Sequence, residues 1–138
     1  MKVLVDLNVL LDFLQKREPF FNDAASVMDM VLFGKVGGVL PAHAVTTIHY
    51  LLARGTSKQK SEEVMRWLLN TFEIAVCNRE LLLDALSLSM PDYEDAVAAL
   101  AAEHSACSYV ITRNLRDFAG SPVPAMLPAA FLQFADRA

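Results

Sequence analysis

Short apolar runs alternate with longer stretches of helical periodicity from one end of this chain to the other. Lys2-Val3-Leu4-Val5-Asp6 is apolar between its ends, with no polar alternate, which predicts a strand buried on both faces. Asn8 reads as the N-cap of a short helix carrying Val9, Leu10, Leu11, Phe13 and Leu14, and Arg17-Glu18-Pro19 breaks it. From Phe20 to Phe33, the positions Phe21, Ala24, Ala25, Met28, Val31 and Leu32 recur at helical spacing. Gly34 ends that helix, and Val36 to Leu40 predicts a second strand.

The same alternation continues. Pro41 to Arg54 predicts a helix with Val45, Ile48 and Leu52 on one face, closed by Gly55. Ser57 caps another that turns Val64, Trp67 and Leu68 inward. Phe72 to Cys77 is a third strand; Asn78 caps a helix running through Leu88, and Asp92 caps an alanine-rich helix running through Ala102. Tyr109 to Thr112 is a fourth strand, and Val123 to Met126 a fifth, confined to an edge by Pro122 and Pro124. Pro128 opens the closing helix through Phe131, Leu132 and Phe134. Strands separated by helices imply βαβ units. The expected fold is therefore one α/β domain over residues 1–138, a three-layer α/β/α sandwich around a mainly parallel sheet of four to five strands.

Composition narrows this picture modestly. The 138 residues and 54 % apolar content suit one well-filled core. The N-terminus lacks a signal-peptide pattern, and no segment approaches the roughly 20 apolar residues that span a bilayer, so a soluble, cytoplasmic protein with no membrane partner is expected. Cys77 and Cys107 sit in apolar runs and are expected as buried free thiols. The formal charge of −4 argues against a general nucleic-acid coat protein. It leaves room for an enzyme that concentrates carboxylates in one place.

Such a place is expected beyond the carboxyl ends of the parallel strands. The first strand delivers Asp6, with Asn8 just after it; the fourth delivers Thr112, Arg113 and Asn114, with Asp117 a little further on. The alanine-rich helix opens with Asp92-Tyr93-Glu94-Asp95. Two carboxylates about 4 Å apart repel by roughly 4 kcal/mol at an effective dielectric of about 20. Hard divalent cations resolve such crowding, and Mg²⁺ is held by only one or two carboxylates with water and phosphate completing its octahedron. Metal-assisted phosphodiester hydrolysis is a natural use of Asp6, Asp95 and Asp117 on one rim. Each residue also has a plainer reading: Asp6 and Asp92 as helix caps, Asp117 and Asn114 as turn residues. Arg113 and Arg116, beside the acids, are candidate phosphate contacts. His43, His49 and His104 fit no zinc spacing. Phosphate-binding glycine loops and the serine-hydrolase elbow have no counterpart here.

These residues also carry a family likeness. Val3-Leu-Val-Asp6-Leu-Asn8-Val-Leu-Leu-Asp12 resembles the opening of PIN domains, where an apolar strand ends in Asp-x-Asn or Asp-x-Thr. Asp92-Tyr-Glu-Asp95-Ala96 is similar to the family's third acidic motif, Ile111-Thr-Arg-Asn-Leu-Arg-Asp117-Phe118 to its fourth, and Val123-Pro-Ala-Met-Leu-Pro128-Ala-Ala-Phe131-Leu132 to its closing strand and helix. The likeness spans the whole chain. It implies a Mg²⁺- or Mn²⁺-dependent ribonuclease acting on RNA, often the toxin of a VapC-type toxin–antitoxin pair, that forms homodimers and whose antitoxin covers the active site. By position it implies Asp6, Asp95 and Asp117 as catalytic metal ligands, with Asp92 a candidate fourth. Asn8, Asn114 and Thr112 would be supporting or substrate contacts. Thr47 falls where most members carry a glutamate, and a hydroxyl is a weak, neutral substitute for a carboxylate. A PIN-fold binding or dimerisation module with a weakened site is therefore the alternative. A phospho-receiver domain ranks below both, because Asp6 has no acidic neighbour and Thr112 is followed by arginine rather than lysine.

Overall fold

The chain enters a sheet directly at β1 (Lys2–Val5) and leaves it through α1 (Leu7–Leu14) and α2 (Phe21–Leu32). It returns as β2 (Gly37–Pro41), then α3 (Ala42–Gly55), α4 (Lys58–Thr71) and β3 (Glu73–Ala75). Next come α5 (Arg79–Ala85), α6 (Tyr93–His104) and β4 (Tyr109–Ile111). A 3₁₀ turn (Leu115–Phe118), β5 (Ala125–Met126) and α7 (Pro128–Asp136) close the chain. This computed structural model describes residues 1–137.

The five strands pair in parallel in the order β3-β2-β1-β4-β5. The chain thus builds outward from β1 on one side, then crosses back to place β4 on the other. The direction of the crossovers reverses between β1 and β4, which opens a crevice at the carboxyl ends of those two strands. Asp6 and Thr112 follow them immediately.

Strand alternation divides the core into two layers. Val3, Val5, Leu40 and Ile111 face a cluster with residues of α1, α2, α3, α4 and α7. Leu4, Val39 and Val110 face the opposite cluster, filled by α5 and α6. The expected α/β/α sandwich is observed. Ala96 to Ala102 are all buried, because α6 lies between the sheet and α5, and its alanines Ala96, Ala98, Ala99, Ala101 and Ala102 permit a close approach. On the other face, a Cβ at Gly38 would lie 2.6 Å from Cε1 of Phe72 and 2.8 Å from Cγ1 of Val31. Glycine is what lets those two side chains pack down onto β2.

Several expectations are corrected. The N-cap of α1 is Asp6, as its plainer reading had it, and not Asn8: its backbone is extended and its carboxylate accepts the Leu7 N–H. The third strand is three residues rather than the expected Phe72–Cys77, because β3 is an edge strand whose only ladder partner ends at Pro41↔Ala75. Val76 and Cys77 leave the sheet there, so Cys77 is exposed, while Cys107 is buried as expected; both thiols are free. β5 occupies the other edge, and two residues suffice for it because Pro124 cannot donate to the ladder.

Candidate active site

Asp6 is fixed at the crevice by three bonds. Its N–H donates to the Ile111 carbonyl at 3.0 Å, prolonging the β1–β4 ladder past both strands. The Leu7 N–H donates to Oδ1 at 2.8 Å, and the buried Thr112 hydroxyl donates to Oδ2 at 2.7 Å. Thr112 Oγ1 has one proton, given to Asp6, so it accepts from the Asn114 N–H at 3.0 Å and from Asn8 Nδ2 at a long 3.5 Å. That fixes the Asn8 amide and leaves its Oδ1 buried without a donor among the described residues. An orphaned acceptor beside a carboxylate normally finds a water or a cation.

The first turn of α6 supplies the other acids. Asp92 caps the helix, its Oδ1 accepting the Asp95 N–H at 2.9 Å, so its plainer reading holds. Burial pushes the Asp95 carboxyl up to about 7, and the charges of Asp92, Asp6, Asp117 and Glu94 add to the rise. Burial also raises Asp6; the Thr112 hydroxyl, the Leu7 N–H and His43 act against that rise, and Glu94 adds to it. The charges of Asp92, Asp6 and Asp117 all reach Asp95. The 3₁₀ turn holds Asp117, whose N–H donates to the Asn114 carbonyl at 3.1 Å.

Two participants escaped the sequence reading. His43, in the first turn of α3, places Nε2 3.7 Å from Glu94 Oε1, and both groups act on Asp6. Glu94 lay inside a recognised motif, which was the one available signal. His43 had none beyond its place after β2. Thr47 lies one turn along from His43, and its hydroxyl donates to the His43 carbonyl at 3.2 Å, within its own helix.

Among the described residues, no three His, Cys, Asp or Glu side chains stand close enough to enclose an ion. The acids flank the crevice rather than cage it. That suits a hard cation such as Mg²⁺ or Mn²⁺ held by one or two carboxylates and water, and the donors here are oxygens, not thiols. Asp6 and Asp95 would hold it, flanked by Asp92 and Asp117. Each Asp6 oxygen keeps a lone pair beyond its present hydrogen bond.

A family model for the PIN domain matches residues 2–116. The chain belongs to the PIN domain family. No curated protein matches it. Among solved structures, this PIN domain is similar to FitAcB from Neisseria gonorrhoeae, at 16 % identity and a TM-score of 0.67 over 92 % of this chain and 98 % of that one. It resembles a toxin–antitoxin complex from Klebsiella pneumoniae at 21 % identity and 0.68, over the same shares. VapBC2 from Rickettsia felis, bound to a DNA fragment from their promoter, matches at 12 % identity and 0.66, again over 92 % and 98 %. At these identities the likeness is one of fold.

The PIN domain departs from expectation at Arg113. Rather than standing free for phosphate, its guanidinium grips the fully buried Asp12 through Nε at 2.6 Å and Nη2 at 3.2 Å. It also lies over the Phe20 ring, 4.0 Å from the centroid. Asp12 on α1 needs a counter-charge, and Arg113 supplies it from the loop after β4. Arg116 and Asn114 remain exposed at the rim.

Proposed function

We propose that this PIN domain is a Mg²⁺- or Mn²⁺-dependent endoribonuclease that hydrolyses RNA phosphodiester bonds, and that it is the toxin of a toxin–antitoxin pair. The observation that carries the reading is the buried Asn8 Oδ1, without a donor among the described residues, at the crevice where burial and then the charges of Asp92, Asp6, Asp117 and Glu94 push the Asp95 carboxyl up to about 7. Carboxylates that raise one another in this way favour a divalent cation. When bound, that cation supplies an acidified water and offsets charge building on the phosphate. The Thr112 hydroxyl and the Leu7 N–H orient the two Asp6 oxygens, and Asp95 gives up its proton as a cation is taken up. Asn114 and Arg116, both exposed, would contact the RNA strand.

The toxin assignment draws on the family and on the toxin–antitoxin complexes of similar fold. It brings with it a cognate antitoxin, a homodimer and a cytoplasmic location. No described helix is long and apolar enough to cross a membrane. The second reading, a PIN-fold binding or dimerisation module, draws on Thr47, whose hydroxyl is spent within its own helix.

The test is incubation of purified protein with structured RNA and Mg²⁺ or Mn²⁺, beside an Asp6→Asn variant. The wild type is expected to degrade the RNA and the variant to leave it intact. Equal loss in both, or none in either, refutes the nuclease reading.

A further inference from the structure

We propose that the cavity between α3, α5 and α6 receives an unpaired nucleobase of the RNA strand, with the Tyr93 ring as its stacking surface. The proposal rests on the nuclease reading and names a substrate subsite for it.

The cavity measures about 190 Å³ and is lined by His43, Cys77, Leu82, Tyr93, Glu94 and Val97. Two of these, His43 and Glu94, are the groups whose charges act on Asp6, so the cavity adjoins the acid cluster. Leu82, Val97 and Cys77 give it an apolar wall.

Tyr93 lines the cavity and is 45 % exposed, so part of its ring is open to a partner. Its hydroxyl donates to the Leu82 carbonyl at 2.8 Å, which ties α6 to α5 and holds the ring in one orientation. An aromatic ring fixed beforehand loses little freedom when a base stacks on it.

Charge selects the occupant. A phosphate has no place beside Glu94, whereas an uncharged flat base does. The strand also needs such a contact. The chain carries a net charge of −4, and of the two arginines after β4 one is committed to Asp12, leaving Arg116. With so little basic surface at the rim, backbone attraction contributes little, and stacking must hold the strand.

The test compares two fluorescent chains of six nucleotides, oligoadenylate and an abasic ribose-phosphate chain, binding to the full-length protein in Ca²⁺. The proteins are the wild type, Tyr93→Phe and Tyr93→Leu. Both variants lose the hydrogen bond to Leu82, and only Tyr93→Leu loses the ring, so any folding penalty is shared. Stacking on one aromatic is worth a factor of about 5 to 150 in binding. Tyr93→Leu is expected to weaken oligoadenylate binding by that factor and leave the abasic chain unchanged. Tyr93→Phe is expected to stay within about twofold of wild type. Equal effects of Tyr93→Leu on both chains, or no effect on either, overturn the proposal. So does a wild type that binds neither chain, or a Tyr93→Leu protein that changes oligomeric state while binding oligoadenylate normally. RNA cleavage in Mg²⁺ or Mn²⁺, measured on the same preparations, separates the two claims: a Tyr93→Leu protein that cuts and binds like wild type refutes the base site alone, and a wild type that cuts nothing refutes both.

Discussion

Two aspartates sit at either end of the first helix, and the fold treats them oppositely. Asp12 is buried to 1 % exposure and fully compensated, with Arg113 gripping it bidentately and Arg17 at 4.0 Å. Asp6 is offered a hydroxyl, a backbone N–H and a distant histidine, while Asp92, Asp95, Asp117 and Glu94 crowd the same crevice. The chain plainly contains the means to neutralise a carboxylate. It deploys an arginine from the loop after β4 against Asp12 and, among the described residues, pairs none with Asp95. Where a carboxylate serves the architecture, it is paired with an arginine; the crowded acids of the crevice are where the proposed cation would act.

The largest expected effect separates the two ends directly. Asp6→Asn keeps the helix cap, since asparagine caps as well as aspartate, and is expected to lower RNA cleavage by at least about a hundredfold with the melting temperature nearly unchanged. An Asp6→Asn protein as active as wild type would show that Asp6 serves the helix cap alone.

Asp12→Leu should do the reverse. It leaves Arg113 half-buried and unpaired, and a loss of about 2–4 kcal/mol by urea denaturation is expected. The double variant Asp12→Leu/Arg113→Met should recover most of that loss, because a buried ion pair is often replaceable by apolar side chains of similar volume. Recovery failing in the double variant would show that the pair has a role other than mutual compensation.

The pH response of the metal-free protein is a smaller effect. Between the unfolded carboxyl value near 3.8 and about 7, the folded chain keeps a proton on Asp95 that the unfolded chain has shed. Stability therefore falls as pH rises through that window, the reverse of a salt-bridged aspartate. Because Asp95 is half-exposed, the effect is discounted to about 1 kcal/mol. Asp95→Asn should remove it, making the variant more stable than wild type at pH 8 and no more stable at pH 4. Identical stability profiles for the two proteins would show that Asp95 is not crowded.

Thr47→Ala sets the lower bound. Its hydroxyl reaches only the His43 carbonyl, so stability should change by no more than about 0.5 kcal/mol. A large loss of cleavage in that variant would show that Thr47 still does the work of the glutamate it replaces.

Much of this was legible beforehand, and the remainder has physical reasons. The parallel sheet follows from apolar runs that switch period between strand and helix, and residues immediately after β1 and β4 had to meet at the crevice. That is why Asp6 and Thr112 were readable, and why the loop carrying Asp117 was too. Asp6 and Asn8 are both good caps, so the sequence supports either for α1, and only the backbone decides between them. The Asp12–Arg113 pair joins residues 101 apart, and no local pattern encodes it. Its one trace was an acid set between Leu11 and Phe13 in an otherwise apolar helix face. His43 and Glu94 depend on how two helix starts approach one another, which spacing along the chain does not specify. Cys77 was misjudged because β3 ends early at the sheet's edge.

Whether the crevice acids form the proposed divalent-cation site is decided by calorimetric titration of Mg²⁺ or Mn²⁺ at pH 6.5 in buffers of different ionisation enthalpy. The wild type should bind with release of protons from Asp95, and both Asp6→Asn and Asp95→Asn should weaken binding, the latter also abolishing the proton release. Absence of binding by the wild type, or binding that both variants retain unchanged, would contradict the account.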